Sequence, residues 1–124
     1  MGVTGIGGFF FRAADPDQLR AWYAEHLGVG TDQFGEWATA AGPSVFLPES
    51  LDSDHFEADR QWALSFRVDG LDEILEGLEA SGIEVTTDPE WDLPGVGRFA
   101  RLHDPEGNPV ELWEPPPGDG AEHS

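Results

Sequence analysis

The residues best placed to do chemistry lie in the stretch 98–115, where a single acidic side chain interrupts an apolar strand. Val110 and Leu112 alternate there with Glu111 and Trp113, so one face of the strand is apolar and the other carries an acid beside an aromatic ring. A carboxylate on the inner face of a curved sheet is a metal ligand, a general base or one half of a structural ion pair. The functional question is which of these three roles Glu111 has.

Two arginines are the expected partners of Glu111. Arg12 and Arg67 each end a strand-like segment just before a helix begins, and strand alternation directs them to the same inner face as Phe10 and Ser65. An ion pair with Glu111 is the default interpretation. The alternative is that a guanidinium binds an anionic group of a substrate as a bidentate fork.

Aromatic side chains and histidines complete the candidate site. Trp113 shares the predicted inner face, and Trp91 lies in a loop that could close the mouth of a cavity, which suits a flat organic ligand. Packing in the core or at a dimer contact is the alternative for both. His103 lies beside the turn of the closing hairpin, and His55 lies in a polar segment that could fold over the cavity. No two histidines have the spacing of a two-histidine metal site.

The charge of the chain limits its partners. Its 124 residues carry 25 acidic side chains against six arginines and no lysine, for a formal net charge of −19. Such a charge repels phosphate backbones and anionic membranes, so no nucleic-acid or membrane partner is expected. Dense acidity without lysine favours a halophilic source, with a merely acidic protein as the alternative. Without cysteine, a leader-like N-terminus or an apolar run of about 20 residues, we expect a soluble, cytoplasmic protein.

Two helices are indicated by their ends. Asp15 and Pro16 are the residue types preferred at an N-cap and at the first helical position, and Gly28 suits the C-terminal stop. A second amphipathic pattern runs over residues 71–78 and ends at Gly82. Strands are predicted at residues 3–13, 34–40, 44–48, 62–68 and 83–86 and in the two arms of the hairpin 98–114.

The order of elements repeats along the chain. Phe11-Arg12 and Phe66-Arg67 are 55 positions apart, and each pair stands between a strand and a helix. This repeat predicts an α+β protein of two β-α-β-β-β modules. We expect one domain over residues 1–115, with module one at about 3–48, a linker at 49–60, module two at 61–115 and a flexible tail at 116–124.

Three segments carry a family resemblance: FFFRAADPDQLRAWYAEHLGV at 9–29, FRVDGLDEILEGLEASGIEV at 66–85 and GRFARLHDPEGNPVELWEP at 97–115. Together they resemble the vicinal oxygen chelate superfamily, which includes glyoxalase I, bleomycin-resistance proteins and extradiol dioxygenases. The resemblance implies that the two modules form a half-open barrel with a concave ligand cavity. It also implies a homodimer and, for enzymes of the family, one divalent metal ion in the cavity.

Most of the metal ligands that the resemblance implies are missing. Their positions fall at Gly8, at residues 46–48, at Ala63 and at Glu111, and of these only Glu111 has a side chain that coordinates a metal. We therefore expect no metal ion and no other cofactor, with a divalent ion at Glu111 as the alternative.

The leading hypothesis is a metal-independent protein, similar to the bleomycin-resistance branch, that holds a small organic ligand between aromatic walls and a pair of Glu111 with an arginine. One alternative is a glyoxalase-like lyase or isomerase in which Glu111, as the catalytic base, removes a proton alpha to a carbonyl. Another is a non-catalytic interaction module with a closed cavity. The candidate ligand-binding residues are Arg12, Arg67, Phe10, Ser65, Trp91, Trp113 and His103.

Overall fold

The structure, a computed structural model, describes residues 1–116. The elements, in chain order, are α1 at Pro16–Leu27, β1 at Leu64–Arg67, α2 at Leu71–Ala80, a 3-10 turn at Pro89–Trp91, β2 at Arg98–His103 and β3 at Pro109–Glu114. The strands form one mixed sheet in the order β1-β3-β2, in which β3 runs parallel to β1 and antiparallel to β2. This is the predicted α+β class. The tail predicted at 116–124 lies, after its first residue, outside the described residues.

Both predicted helices are present. Asp15 caps α1 by accepting a hydrogen bond from the Gln18 N–H at 3.1 Å, and Gly28 ends the helix in the left-handed conformation with φ of 68°. Helix α2 has no side-chain cap at its own N-cap position, and the Leu71 N–H donates instead to the Glu114 carboxylate at 2.9 Å. No helix in residues 1–116 is long and apolar enough to cross a membrane.

The core lies between the helices and one face of the sheet. Val110 and Leu112 of β3 point toward the helices and are fully buried, which confirms the alternation predicted for this strand. Each fully buried leucine or valine contributes about 1.5–3 kcal/mol relative to an exposed one. The buried apolar side chains are Leu19, Tyr23, Leu71, Leu78, Ala100, Leu102, Val110 and Leu112.

The turn between β2 and β3 is built around the buried carboxylate of Asp104. Its oxygens accept hydrogen bonds from the Glu106 N–H at 2.9 Å, from the backbone and side-chain N–H groups of Asn108 at 3.0 and 2.8 Å, and from the Tyr23 hydroxyl at 2.6 Å. Gly107 takes the left-handed conformation that the turn requires, with φ of 81°. Burial of the Tyr23 hydroxyl, together with its bond to Asp104, raises the pKa of that tyrosine.

The same turn also stabilises the start of α1. The Glu106 carboxylate accepts hydrogen bonds from the Ala14 N–H at 2.6 Å and from the Asp15 N–H at 3.1 Å. A negative charge at a helix N-terminus is favourable because the unpaired N–H groups there carry partial positive charge. The closing hairpin therefore contacts the first helix across 91 residues of sequence.

The first half of the chain differs from the prediction. No strand forms in residues 1–63, and the strand expected at 83–86 is reduced to a single bridge between Thr86 and Arg101. A strand is stable only when a neighbour pairs with its backbone N–H and C=O groups, and the segments in this half lack such a neighbour within the described structure. The two-module half-open barrel is therefore not confirmed. The strands predicted at 3–13, 34–40 and 44–48 all lie in this first half and do not form.

Large apolar side chains remain exposed in this first half. Phe9 and Phe11 pack edge-on against Trp62, with ring centroids 4.8 and 5.6 Å away, but both keep an exposed surface. In residues 64–116 the large apolar side chains that are exposed are Leu93 and Val96. Those exposed in residues 1–63 are Met1, Val3, Ile6, Phe9, Phe10, Phe11, Phe34, Trp37, Val45, Phe46, Leu47 and Leu51.

Candidate ligand-binding site

The sheet face opposite the helices, here called the polar face, brings three residues into one row. Glu111 of β3 lies directly opposite Ser65 of β1 and Arg101 of β2, so the three side chains leave the sheet on the same side. Trp113 lies two positions further along the same face and is level with Arg67. The shared face predicted for Glu111 and Trp113 is confirmed. Arg101 is a member of this face that sequence analysis did not single out.

Glu111 is held by a histidine rather than by an arginine. Its side chain is 10% exposed, and its Oε2 makes a short hydrogen bond with Nε2 of His55. The other ring nitrogen of His55, Nδ1, lies 2.9 Å from a carboxylate oxygen of Glu49. The predicted pairing with Arg12 or Arg67 is wrong because the predicted linker folds over the polar face and places His55 against the carboxylate.

The two candidate arginines have other environments. Arg67 donates from its two terminal nitrogens to the carbonyl oxygens of Pro43 at 2.5 Å and Ala40 at 2.7 Å. Gly42 passes so close to this guanidinium that a Cβ there would lie 2.9 Å from its central carbon. Arg67 therefore holds a loop of the first half, and Arg12 is exposed.

The two carboxylates around His55 favour its protonated form. Partial burial lowers the pKa of His55, but hydrogen bonds to Glu49 and Glu111 and the charges of both acids outweigh burial, so that its pKa is raised. The hydrogen bond from His55 correspondingly lowers the pKa of Glu49. An imidazolium donates from both ring nitrogens, and that is the arrangement in which both carboxylates are satisfied.

An open cleft lies beside Glu111 rather than over it. A cleft of about 950 Å³, here called the Trp91 cleft, has a wall that includes Trp22, His55, Thr86, Trp91, Arg101 and His103. Glu111 instead lines a smaller void of about 40 Å³, which shares His55, Arg101 and His103 with the cleft. His55 is thus part of the cleft wall and is also bonded to the Glu111 carboxylate, which is not part of that wall.

Arg101 supplies a positive charge to the wall of this cleft. The central carbon of its guanidinium lies 3.8 Å from the centroid of the Trp91 ring, which is a cation–π contact. Its Nε is buried and has no hydrogen-bond partner among the described residues. The sequence did contain a signal for this residue, because the apolar Ala100 and Leu102 on either side of it assign Arg101 to the opposite face of β2.

The structure separates the predicted ligand-binding residues into two groups. Trp91 and His103 line the Trp91 cleft, and His103 Nε2 lies 2.5 Å from a carboxylate oxygen of Glu57. Trp113 is on the polar face but outside the cleft, and its indole N–H donates to the Val96 carbonyl at 2.8 Å. Phe10 is 95% exposed and lies away from the cleft. Their roles in binding stay predictions.

A divalent metal ion, which the resemblance implies for enzymes of the family, would have to compete with hydrogen bonds on the polar face. Glu111 and His55 are hydrogen bonded to each other, and the second ring nitrogen of His55 is engaged by Glu49. Arg101, directly opposite Glu111, places a positive charge beside the position that a cation would take. Within residues 1–116, no three His, Asp or Glu side chains converge as a metal-binding group.

Sequence comparison identifies relatives for most of the chain. The sequence profile of the glyoxalase-like domain family matches residues 8–113. Two curated relatives, each provisionally named glyoxylase CFP32 and found in Mycobacterium bovis and Mycobacterium tuberculosis, are 39% identical over 56 residues, which are 45% of this chain. The matched part spans about a fifth (21%) of the length of these relatives.

Solved structures share the fold at low sequence identity. TnmS3, an antibiotic binding protein from Streptomyces sp. CB03234, matches with a TM-score of 0.59 and 23% identity over 94% of this chain and 99% of its own. The fosfomycin resistance protein FosX from Listeria monocytogenes matches with a TM-score of 0.63 and 15% identity over 95% of this chain and 98% of its own. A glyoxylase/bleomycin resistance protein/dioxygenase domain from Frankia sp. EAN1pec matches with a TM-score of 0.58 and 20% identity over 99% of this chain and 100% of its own. At these identities the structures establish the fold alone, and the profile establishes the family: the chain belongs to the glyoxalase-like domain family of the vicinal oxygen chelate superfamily.

Proposed function

We propose that this protein binds a small organic molecule in the Trp91 cleft and does so without a metal ion. The observation that carries the proposal is the position of the open volume. The cleft of about 950 Å³ is lined by Trp91 and Arg101, whereas Glu111 adjoins a void of about 40 Å³. Cavities for small molecules typically have about 300–1,000 Å³, so the cleft has room for an organic ligand and the space at Glu111 does not.

The enclosed position of Glu111 argues against a lyase or isomerase that uses it as the base. A general base must come within hydrogen-bond distance of the proton that it removes. The carboxylate is 10% exposed, is bonded to His55 and is not part of the cleft wall, so a molecule in the cleft does not contact it directly. TnmS3, which is described as an antibiotic binding protein, is a precedent for ligand binding on this fold.

We also propose a homodimer in which a second copy completes the first module. Exposed apolar side chains concentrate in residues 1–63, where no strand forms. Large apolar surface and unpaired strand-like segments both favour association with another chain. In the dimer, two β-α-β-β-β modules would complete the half-open barrel. Size-exclusion chromatography with light scattering tests this proposal, and a monomer at every concentration would contradict it.

Ligand binding is tested by tryptophan fluorescence with a panel of neutral, acidic and basic aromatic compounds. Trp91 lines the cleft, whereas Trp37 lies outside it and packs near Phe66, with ring centroids 6.1 Å apart. We expect saturable quenching in the wild type and in Trp37→Phe, and weaker quenching in Trp91→Phe, where Trp22 is the remaining tryptophan of the cleft wall. Equilibrium dialysis measures the same binding independently. A panel without any saturable binding would contradict the proposal, and unchanged quenching in Trp91→Phe would show that the ligand lies elsewhere.

Metal analysis of protein purified without a chelator tests the metal-independent part of the proposal. The test is needed because FosX from Listeria monocytogenes has been solved in complex with Mn(II) and a sulfate ion. We expect no stoichiometric divalent metal in this protein, and unchanged ligand binding after treatment with a chelator. A stoichiometric ion that is lost in Glu111→Ala would contradict this expectation.

A further inference from the structure

We infer that the Trp91 cleft selects an organic anion, specifically an aromatic carboxylate whose acid group pairs with the guanidinium of Arg101. This inference rests on the proposed function, since it names the class of ligand that the same cleft binds. Three observations support it. The guanidinium of Arg101 stacks on the Trp91 ring, the facing acid Glu111 is bonded to His55, and aromatic side chains line the cleft.

Arg101 is held in place without a hydrogen-bonded acid; the pKa of the Glu49 carboxylate is lowered mainly by its bond to His55 and, to a smaller extent, by the charge of Arg101. Its guanidinium stacks on the Trp91 ring at 3.8 Å, which orients the planar group and reduces the conformational freedom that a ligand would otherwise have to remove. No side-chain hydrogen bond joins it to another residue within residues 1–116, and its Nε is a buried donor without a partner. Arg101 lines the cleft, so an acceptor supplied by a ligand can bond to guanidinium nitrogens that no side chain of residues 1–116 engages.

The acid that faces Arg101 is already engaged. Glu111 lies directly opposite Arg101 in the sheet and is thus the nearest partner by register, but its Oε2 bonds to His55. Of the other acids in the cleft wall, Glu57 bonds to His103, and the buried Asp104 is occupied by the hydrogen bonds of its own turn. The exposed Asp54 and Glu84 complete the acids of the wall.

Other arginines of the chain are used differently. The guanidinium of Arg98 bonds to Asp72 at 2.8 Å, and Arg20 lies 3.6 Å from Asp17 on the surface of α1. Arg67 bonds to backbone carbonyls. In a chain with 25 acidic residues, a guanidinium in a concave wall without a bonded acid is an arrangement that suits an anionic ligand.

The wall of the cleft indicates the rest of the ligand. Trp91 and Trp22 are both part of it, and flat side chains of this kind pack well against aromatic rings. A planar ring that carries a carboxylate can contact an indole and present two oxygens to the guanidinium fork at the same time. An aromatic amide has the same shape but lacks the charge, and it therefore makes a matched comparison.

The inference is tested by equilibrium dialysis with benzoate, 2-naphthoate and 9-anthroate and with the corresponding amides. We expect the dimensions of the cleft to favour one of these acids and that acid to bind about tenfold or more tightly than its amide. Arg101→Gln should remove the preference for the acid and change amide binding by less than about twofold. The matched control is Arg20→Gln, which removes an arginine from the surface of α1 and should keep the preference. Circular dichroism confirms that each variant is folded. A second variant, Arg101→Lys, keeps the positive charge but loses the planar guanidinium.

The outcomes separate the two proposals. If acids and amides bind equally well, or amides better, the inference about the anion is wrong while binding in the cleft stands. If neither set binds at about 1 mM, the inference about the anion is wrong, and the proposed binding function is then decided by the other compounds of the fluorescence panel. The comparison of acid with amide in the wild type needs no variant, so it decides the question even if Arg101→Gln fails to fold.

Discussion

Two carboxylates are buried on the closing hairpin, and they are satisfied in opposite ways. Asp104 accepts hydrogen bonds from its own turn and from the hydroxyl of Tyr23 in the core. Glu111 is bonded to His55, which comes from an irregular segment 56 residues earlier in the chain. The first carboxylate is held by neutral donors that do not titrate near neutral pH, and the second by an imidazole that does.

The two carboxylates therefore differ in role: burial of Asp104 stabilises the fold, whereas Glu111 is buried beside the candidate binding site. The donors of Asp104 are fixed by a tight turn and a helix, so the carboxylate can be removed only at the expense of the fold. The donor of Glu111 belongs to a segment without helix or strand, and it also lines the Trp91 cleft. A contact of that kind can exchange when the pH or the ligand changes, while the sheet beneath it stays intact.

The largest effect is expected from Asp104→Ala. The substitution leaves the Tyr23 hydroxyl and the turn N–H groups without an acceptor in a buried position, so we expect a loss of about 3 kcal/mol in the free energy of unfolding. Urea denaturation followed by circular dichroism measures it. The control is Asp17→Ala, whose side chain is 97% exposed. A loss as small as that of the control would mean that Asp104 is not the structural member of the comparison.

A smaller effect is expected for the contact between His55 and Glu111. A double-mutant cycle with His55→Gln and Glu111→Gln should give a coupling free energy of about 1 kcal/mol at about pH 6. The same cycle between His55→Gln and Arg20→Gln, which are not in contact, should give none. Additive effects of the first two substitutions would show that the contact does not contribute to stability in solution.

A similar or slightly smaller effect is expected for Glu106→Ala. Its carboxylate accepts from two N–H groups at the start of α1, at 2.6 and 3.1 Å, and loss of a helix cap typically costs about 1 kcal/mol. Hydrogen exchange of the first turn of α1 should accelerate more than exchange in the sheet. Uniform acceleration over the whole chain would contradict a local role.

The smallest effect is a pH dependence that the His55 contact should show and the hydrogen bonds of Asp104 should not. The pKa of His55 is raised in the folded state, so its contribution is complete below about pH 6.5 and disappears as the pH rises through the folded value. The stability difference between the wild type and His55→Gln should therefore shrink by up to about 1 kcal/mol between about pH 6 and pH 9. Because the two proteins have nearly the same net charge, the effect of charge repulsion on stability cancels when they are compared at each pH. A difference that grows with pH would have the wrong sign.

Short sequence patterns predicted the elements that are stabilised by residues close to them in the chain. Asp15 and Gly28 mark the ends of α1 because capping depends on a few neighbouring residues. The closing hairpin was predictable because a turn sequence joins two alternating strands, and the alternation also gave the faces of Val110 and Glu111. Arg101 could have been found with the same argument.

The remaining features depend on contacts between distant residues. The contact of His55 with Glu111 spans 56 positions and follows no periodic pattern. The strands predicted in residues 1–63 have suitable apolar and aromatic side chains, but strand propensity describes a fit to a neighbouring strand rather than a property of the segment alone. The sequence does not reveal which chain supplies the neighbouring strand, so it does not determine whether such a segment pairs.

The sheet order has a consequence for synthesis on the ribosome. The central strand, β3, is the last of the three to be translated, and both ladders of the sheet run through it. A nascent chain that ends before Pro109 has neither ladder, and its first helix lacks the Glu106 carboxylate until the turn before β3 has emerged. Folding is therefore delayed until nearly all of the described chain has been made, as expected when key contacts join distant residues. During that interval the apolar first half is accessible to chaperones and to other nascent copies.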